Sequence, residues 1–197
     1  MDHRTPVVDA LKEALVALAA GLEGTSWFVF GAQAVRVWGS PRQTIDIDVT
    51  VALEPADVGA LSALITRLET GSFRVRAPDP VAFAKRYWVV PLVHANGTPV
   101  DLVLAGTPFE RDALGRSRRE RVHDVEVPVV APEDLVVYKL VSDRPKDYED
   151  AVSVIRRQGA TLDADLVRLH LRAAERAHDR GDLVSAFEAE LAAARRR

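Results

Sequence analysis

Cysteine is absent from the 197 residues of this sequence, and methionine occurs once. Without thiols the chain has neither a disulfide framework nor thiolate ligands or nucleophiles, so several enzyme classes are excluded. No apolar run approaches the roughly 20 residues that a membrane-spanning helix needs, and the N-terminus shows no signal-peptide pattern. We therefore expect a soluble, cytoplasmic protein with no membrane partner.

The chain also has little excess charge, with a formal net charge of −3. This balance argues against a globally basic nucleic-acid binder. A local basic stretch lies at residues 116–121, and such a stretch is either a solvated face or a contact for an RNA backbone. The hydrophobic share of 48% and the charged share of 28% are ordinary values for a globular protein.

Strand and helix patterns alternate in the first two thirds of the sequence, and only helices follow. The predicted strands are residues 27–30, 44–51, 88–94, 99–104 and 122–130, with Asn96-Gly97 as a hairpin turn. The predicted helices are residues 6–21 with Thr5 as cap, 31–37, 54–68, a short one after a capping box at 107–110, 132–141, 145–158, 163–178 and 182–197. This order predicts an α/β (α+β) fold with a mixed sheet, in which a core over residues 1–130 carries a C-terminal helical part over residues 131–197.

Two aspartates stand in an otherwise apolar strand pattern. Alternation over residues 44–51 places Asp46 and Asp48 on one face, with Cα atoms roughly 6 to 7 Å apart. One interpretation is a half-exposed strand whose polar face meets water. Aspartate is a poor strand former, however, and local violations of propensity tend to occur at functional sites. With Asp101 in a second apolar strand, the three acids form a candidate Mg²⁺ cluster, because hard oxygen ligands suit that ion.

A small-residue turn precedes the acids. Phe30, Gly31 and Ala32 end a predicted strand and begin a helix, an arrangement in which backbone N–H groups face an anion. Arg42 is placed to add charge-assisted hydrogen bonds to the same phosphates. A turn of this kind is equally compatible with a purely structural role.

Together, Gly31-Ala32, Arg42-x-Thr44-x-Asp46-x-Asp48 and the later Asp101 resemble the DNA polymerase β-like nucleotidyltransferase superfamily. Within it the sequence is most similar to the small bacterial members typified by the AbiEii toxins, and also resembles aminoglycoside and lincosamide nucleotidyltransferases. The resemblance covers residues 27–159. It implies a nucleotidyltransferase fold with a catalytic core, and a nucleotide site that includes Gly31, Ala32, Arg42 and Thr44.

The predicted helical part adds to the likeness. Lys139 followed by Arg144-x-Lys146-Asp147-x-x-Asp150 is similar to an AbiEii segment whose lysines and aspartates are implicated in nucleotide binding and catalysis. By resemblance, Lys139, Lys146, Asp147 and Asp150 belong to the nucleotide site. The alternative is helix capping by Asp143, with the later acids favouring the helix dipole.

The implied reaction is a Mg²⁺-dependent transfer of a nucleotide from a nucleoside triphosphate. Two Mg²⁺ ions held by Asp46, Asp48 and Asp101 would assist it, with Asp101 as general base. The leading hypothesis is a toxin that acts on RNA, such as a tRNA 3′ end, and is neutralised by a cognate antitoxin protein. The alternatives are an antibiotic nucleotidyltransferase and a non-catalytic nucleotide-binding module. The latter arises because Ala32 stands where many active members have Ser or Gly.

Histidines and tryptophans are assigned no chemistry. The histidines show no ligand spacing and are interpreted as surface or structural residues. Trp27, Trp38 and Trp88 are predicted to lie in the core, with base stacking as an alternative for Trp38.

Overall fold

A computed structural model describes residues 6–196 of the chain. In this part of the chain the α-helices are α1 Pro6–Gly21, α2 Gly31–Trp38, α3 Val58–Thr70, α4 Pro80–Tyr87, α5 Pro108–Arg116, α6 Pro132–Val141, α7 Pro145–Gln158, α8 Ala164–His178 and α9 Leu183–Arg195. The strands are β1 Trp27–Val29, β2 Ile47–Val51, β3 Phe73–Val75, β4 Val89–His94, β5 Pro99–Leu104, β6 Arg118–Val122 and β7 Val125–Val129. Thr5, the predicted cap of α1, lies outside the described residues. None of the helices within residues 6–196 is long and apolar enough to cross a membrane.

The strands form one mixed sheet in the order β3-β4-β5-β2-β1-β7-β6, which puts β2 at its centre. β2 runs parallel to β5 and antiparallel to β1, and β1 runs parallel to β7. The predicted mixed sheet is therefore confirmed, with the acid-bearing strand in the middle and Asp101 on a neighbouring hairpin strand. The hairpin turn contains Gly97, whose φ of 92° requires glycine.

The central strand is shorter than predicted, because it begins at Ile47 and not at residue 44. The register with β5 brings Asp46 level with Pro99. Proline has no N–H to donate, so the ladder ends at that point. Ile45, expected on the buried face, is 66% exposed. The prediction of one strand over residues 44–51 is therefore wrong for its first three residues.

Two further predictions need correction. The helix expected to begin at residue 54 begins at Val58, because the Asp57 carboxylate caps it by accepting a 2.9 Å hydrogen bond from the Ala60 N–H. The strand expected over residues 122–130 is β7 and the end of β6, joined by a turn at His123 and Asp124. Both turn residues have positive φ, as a tight two-residue hairpin turn requires. The remaining part of β6, together with β3 and α4, was not predicted.

Several local predictions are confirmed at the level of single residues. The hydroxyl of Thr107 and the carboxylate of Glu110 form the predicted capping box at the start of α5. Both α6 and α7 begin with proline at their first turn, as predicted, and α7 ends at Gly159, whose φ is 51°. These features depend on neighbours in sequence, so local rules are sufficient for them.

The core joins the sheet to the C-terminal helices through aromatic side chains. The ring of Tyr138 on α6 lies 6.5 Å from that of Phe28 and 5.4 Å from that of Phe30, between ring centroids. Trp38 is buried, and its indole N–H donates a 2.8 Å hydrogen bond to the Val130 carbonyl. Trp38 is therefore a core residue. Trp88, also predicted to be in the core, is 39% exposed at the C-terminal end of α4.

The hydrogen bond of Trp38 gives a stability prediction. We expect Trp38→Phe to lower the free energy of unfolding by about 1 to 3 kcal/mol, because the buried Val130 carbonyl loses its indole partner. Trp88→Phe is the matched control, since the same change at a partly exposed ring removes no buried hydrogen bond, and its loss should be smaller. Urea denaturation of the three proteins measures both changes, and equal losses would contradict the assignment.

Candidate active site

Two of the three predicted acids lie side by side on the central strands. Asp48 of β2 and Asp101 of β5 are register partners in the parallel pair. Their side chains therefore leave the same face of the sheet, from backbones about 4.8 Å apart. Asp46 precedes β2 and is exposed. The structure thus brings the three acids together around the start of β2, although only Asp48 and Asp101 lie in strands.

The Asp48 carboxylate lies directly over Gly31 at the start of α2. A Cβ atom added to Gly31 would come within 2.0 Å of Asp48 Oδ2, and Gly31 has a φ of 61°. Both facts require glycine at this position. No side chain caps α2, so the N–H groups of its first turn, including that of Ala32, retain their capacity to bind an anion. The predicted phosphate turn and the predicted acids therefore adjoin one another.

The negative charges of the other two acids act on Asp48, which is itself partly buried. Burial, the charge of Asp46 and that of Asp101, in this order of size, raise the pKa of Asp48 to about 6. The cations of Lys139 and Arg144 oppose the shift without cancelling it. Negative charge is thus concentrated beyond what the surrounding groups compensate, and a cation bound there would relieve the repulsion.

Asp46 is held by Thr44, which the sequence analysis selected, and by Gln33, which it did not. Its carboxylate accepts a short hydrogen bond from the hydroxyl of Thr44. Its backbone carbonyl accepts a 3.0 Å hydrogen bond from Nε2 of Gln33, a buried residue of α2, instead of joining the sheet. The other end of the Gln33 amide contacts Nε2 of His123 at 2.9 Å. Nothing in the sequence marks Gln33 as a site residue. His123 could have been noticed, because it occupies a turn position that favours asparagine or glycine.

Asp101 has a cationic neighbour that was also missed. Nη2 of Arg76, in the loop after β3, donates a 2.9 Å hydrogen bond to Asp101 Oδ1. Nε of the same guanidinium donates to the carbonyl of Leu92, which fixes its orientation. No sequence motif connects residues 76 and 101, because their proximity depends on the pairing of β3, β4 and β5.

The residues can be tested against a metal ion. Within residues 6–196 no three His, Cys, Asp or Glu side chains are arranged to close around a metal. Asp46 and Asp101 are each engaged with another side chain, Thr44 and Arg76 respectively. The donor chemistry nevertheless fits Mg²⁺, because the three groups are all carboxylates and the raised pKa of Asp48 marks an uncompensated negative charge. Binding would require Asp46 and Asp101 to turn from their present partners.

A buried ionic cluster lies next to the acids, and we call it the Lys139 network. Lys139 Nζ lies 2.5 Å from Asp147 Oδ1 and 2.9 Å from Asp150 Oδ2. Arg42 binds both oxygens of Asp150 at 3.0 to 3.2 Å, and Arg144 Nε lies 2.5 Å from Asp147 Oδ2. Burial alone would raise the pKa of Asp147, but the hydrogen bond from Lys139 holds it below its ordinary value. Arg42, Lys139, Asp147 and Asp150 thus form one connected group.

The segment around residue 145 had two interpretations, a nucleotide site and a helix cap at Asp143. Asp143 does not cap α7, since its carboxylate pairs with Arg180 at 2.9 Å and the helix has no side-chain cap. The helix-capping alternative is therefore wrong for Asp143. Lys146 is exposed and forms no ion pair with any described residue, so it is the member of the predicted set whose ammonium group is available to a ligand.

The basic stretch at residues 116–121 is largely neutralised. Within the described chain, three of its four arginines are paired with carboxylates: Arg116 with Asp134, Arg118 with Glu133 and Arg119 with Glu126. The arginines of β6 lie on an edge strand, where charge discourages pairing with another sheet. This arrangement favours the solvated-face interpretation of the stretch.

Gly31 provides a test of the close approach to Asp48. Gly24 is a matched control, because its φ is also positive, at 75°, and no atom lies within 4 Å of an added Cβ. We expect Gly24→Ala to cost about 1 to 2 kcal/mol of unfolding free energy from backbone strain alone. Gly31→Ala should cost more, since Asp48 must also move, and should abolish nucleotide binding. Denaturant melts and nucleotide titration measure these effects, and equal behaviour of the two variants would contradict the proposed geometry.

Asp48 gives a pH prediction whose sign follows from its raised pKa. The folded state resists ionisation of Asp48. We therefore expect the contribution of this group to the unfolding free energy to be full below about pH 4 and to be lost as pH rises through 6, by roughly 3 kcal/mol. Asp48→Asn removes this loss. We expect the variant to match the parent at pH 4 and to exceed its unfolding free energy above pH 6. Urea melts from pH 4 to 8 measure the difference, and parallel curves at all pH values would sink the assignment.

Solved structures with a similar fold are small nucleotidyltransferases and related proteins. The antibiotic-resistance factor ANT(2″)-Ia, solved with adenylyl-2″-tobramycin, is 15% identical, with a TM-score of 0.54 over 88% of this chain and 99% of that chain. An antigenic nucleotidyltransferase-like protein from Paracoccidioides brasiliensis is 16% identical, with a TM-score of 0.51 over 91% and 93% of the two chains. JHP933 from Helicobacter pylori is 12% identical, with a TM-score of 0.50 over 96% and 82%. Such low identities show the shared fold alone, which is the predicted nucleotidyltransferase fold.

The sequence supplies the family. No curated protein is significantly similar to the chain in sequence. The family model of the nucleotidyl transferase AbiEii toxin, type IV toxin–antitoxin system, matches residues 13–197. That match includes the acids, the small-residue turn and the Lys139 network. The chain is therefore a nucleotidyltransferase, and it belongs to the AbiEii toxin family of type IV toxin–antitoxin systems.

Proposed function

We propose that the chain transfers a nucleoside monophosphate from a nucleoside triphosphate to a hydroxyl group of an RNA in the cytoplasm, with Mg²⁺ bound by Asp46, Asp48 and Asp101. One observation carries the proposal: Asp48 and Asp101 are register partners beside the uncapped start of α2. Carboxylates that hold cations and backbone N–H groups that hold phosphates are the two components that triphosphate binding needs.

The nucleotide site extends from the acids to the helices. The backbone N–H groups of Gly31 and Ala32 bind phosphate oxygens, for which Ala32 needs no hydroxyl. Lys146 supplies an unpaired cation, whereas Lys139, Asp147 and Asp150 hold Arg42 beside the site. The proposed nucleotide-binding residues are Gly31, Ala32, Arg42, Thr44, Lys139, Lys146, Asp147 and Asp150. We also propose that the chain consists of a catalytic core at residues 1–130 and a helical part at residues 131–197.

The transfer step is an in-line displacement at the α-phosphorus. The acceptor oxygen forms a bond to phosphorus, the α–β phosphoanhydride bond breaks, and pyrophosphate leaves with the bonding electrons. Asp101, whose side chain is 51% exposed, accepts the proton of the acceptor hydroxyl as general base. When bound, two Mg²⁺ ions would supply compensation for the triphosphate charge and the departing pyrophosphate. Asp46, Asp48 and Asp101 would hold them.

The family context supports an RNA acceptor and a protein partner. Toxins of toxin–antitoxin systems act on their own cell, so a cellular RNA such as the 3′ end of a tRNA is a more fitting acceptor than a drug. A cognate antitoxin would keep the activity in check. We therefore assign RNA as acceptor and an antitoxin as partner.

Asp101 and Glu126 form a matched pair of variants for activity. Both carboxylates are exposed on strands and pair with an arginine, Asp101 with Arg76 at 2.9 Å and Glu126 with Arg119 at 2.8 Å. We expect Asp101→Asn to lower transfer by at least about 100-fold through loss of the base. Glu126→Gln should leave transfer unchanged. Incorporation of label from each α-labelled nucleoside triphosphate into total RNA, with Mg²⁺ or with EDTA, measures the rates.

The same assay separates the candidate acceptors. Label in RNA that requires Mg²⁺ and Asp101 supports the proposal. Label in an aminoglycoside or a lincosamide instead of RNA would identify a resistance enzyme. Transfer to neither, with nucleotide binding retained, would identify a non-catalytic binding module and overturn the proposed function.

A further inference from the structure

A cavity of about 350 Å³ lies beside the segment that precedes β2. Its walls come from the start of α1, one side of α2, the loop that includes Pro41 and Ile45, and the turn between β6 and β7. The volume is that of a small-ligand pocket. None of the roles assigned above uses Arg36 or His123, which both line it.

The cavity is linked directly to a catalytic acid. Gln33, one of its lining residues, donates to the Asp46 carbonyl at 3.0 Å. Thr44, another lining residue, donates to the Asp46 carboxylate. A molecule seated in the cavity therefore borders Asp46. It also contacts Arg42, through which the cavity adjoins Asp150 of the Lys139 network.

The charge of the lining restricts the ligand. Among the described residues that line the cavity, none is Asp or Glu, whereas Arg36 and Arg42 are cationic. Arg42 is bound to Asp150, but Arg36 is exposed and makes no ion pair with a described residue. A site with a free cation and no carboxylate disfavours a polycation such as an aminoglycoside. It suits a ligand that carries phosphate.

The remaining walls suit the sugar and base of a nucleotide. Val7 and Ile45 present exposed apolar surface, 45% and 66% respectively. The Gln33 amide donates to Asp46, so its oxygen accepts from Nε2–H of His123, which leaves Nδ1 of that ring as a hydrogen-bond acceptor. Burial and the charge of Arg36 lower the pKa of His123, which favours the neutral form of the ring. Apolar contact and a fixed acceptor are therefore both available.

The turn that carries the histidine gives a separate indication of function. His123 has a φ of 49° and Asp124 a φ of 63° in a two-residue hairpin turn. Turns of this kind favour Asn-Gly or Gly-Gly, so histidine is uncommon there although it accepts the left-handed region better than most side chains. A residue that goes against local preference is typical of a functional position.

From these observations we propose that the cavity binds the 3′-terminal nucleotide of the RNA acceptor, a role that rests on the proposed function. Arg36 binds the phosphate that precedes the terminal nucleotide. Val7 and Ile45 contact its sugar and base, and His123 accepts a hydrogen bond from a sugar hydroxyl or base amine. The terminal hydroxyl is thereby brought to the three acids, among which Asp101 accepts its proton. The acceptor class is therefore a strand end with an anionic backbone.

Arg36 and Arg176 provide matched variants for the test. Each is an exposed arginine in the last turn of a helix and makes no ion pair with a described residue, so replacement removes the same favourable helix-dipole interaction. A short single-stranded RNA with a 5′ fluorophore and a free 3′ end is titrated with each protein, and anisotropy is followed at several salt concentrations. A circular RNA of the same sequence serves as the end-less probe.

We expect Arg36→Ala to weaken binding of the linear RNA at least about fivefold and to reduce the salt slope by about 0.7, the value for one phosphate contact on a single strand. Arg176→Ala should bind as the parent does. The circular RNA should bind the parent and Arg36→Ala equally. Nucleoside triphosphate affinity, measured by titration, should be unchanged in Arg36→Ala.

Three outcomes would overturn the inference. A loss of triphosphate affinity in Arg36→Ala would make the cavity part of the nucleotide site. Equal RNA binding by Arg36→Ala and the parent would leave the cavity without an acceptor role, and equal loss with circular RNA would make Arg36 a general backbone contact. The test is independent of the proposed function, because RNA binding that depends on Arg36 can be measured in Asp101→Asn, whether or not nucleotide transfer is found.

Discussion

The ion pairs of the buried Lys139 ammonium group are the interactions on which the site and the helical part both depend. A buried charge is tolerated only when it is paired, and Lys139 is paired with Asp147 and Asp150 of α7. Asp150 also binds Arg42, in the segment that leads to the acids. One cation on α6 therefore connects two helices to the backbone that carries Asp46. Loss of either carboxylate would leave Lys139 partly uncompensated, so the segment proposed to bind nucleotide also contributes to folding.

Position along the chain separates what could be predicted from what could not. The Asn96-Gly97 hairpin and the Thr107 capping box are set by neighbouring residues, so local rules identify them. The true start of β2 is set by Pro99, which is distant in sequence and becomes relevant only through the parallel register. The edge strand β6 was missed for a different reason: four of its five residues are charged, so it lacks the apolar alternation that marks a strand.

The same distinction applies to the site. Asp48 and Asp101 were selected because an acid in an apolar strand violates local propensity, and the structure places them as register partners. Gln33 and Arg76 follow no local rule, because each acts on an acid brought to it by the sheet. A single sequence thus indicates the groups that carry charge for chemistry. It does not indicate the groups that orient them, whose contacts are created by the fold.

The ion pair between Arg76 and Asp101 is weak enough for either side chain to exchange its partner. Arg76 follows β3, an edge strand of three residues. The two side chains are 41% and 51% exposed, so water screens them and the pair is worth at most about 1 kcal/mol. To separate a buried ion pair would require several times that free energy. The arginine is therefore a weakly held counter-ion of the Asp101 carboxylate, which a stronger competitor displaces readily.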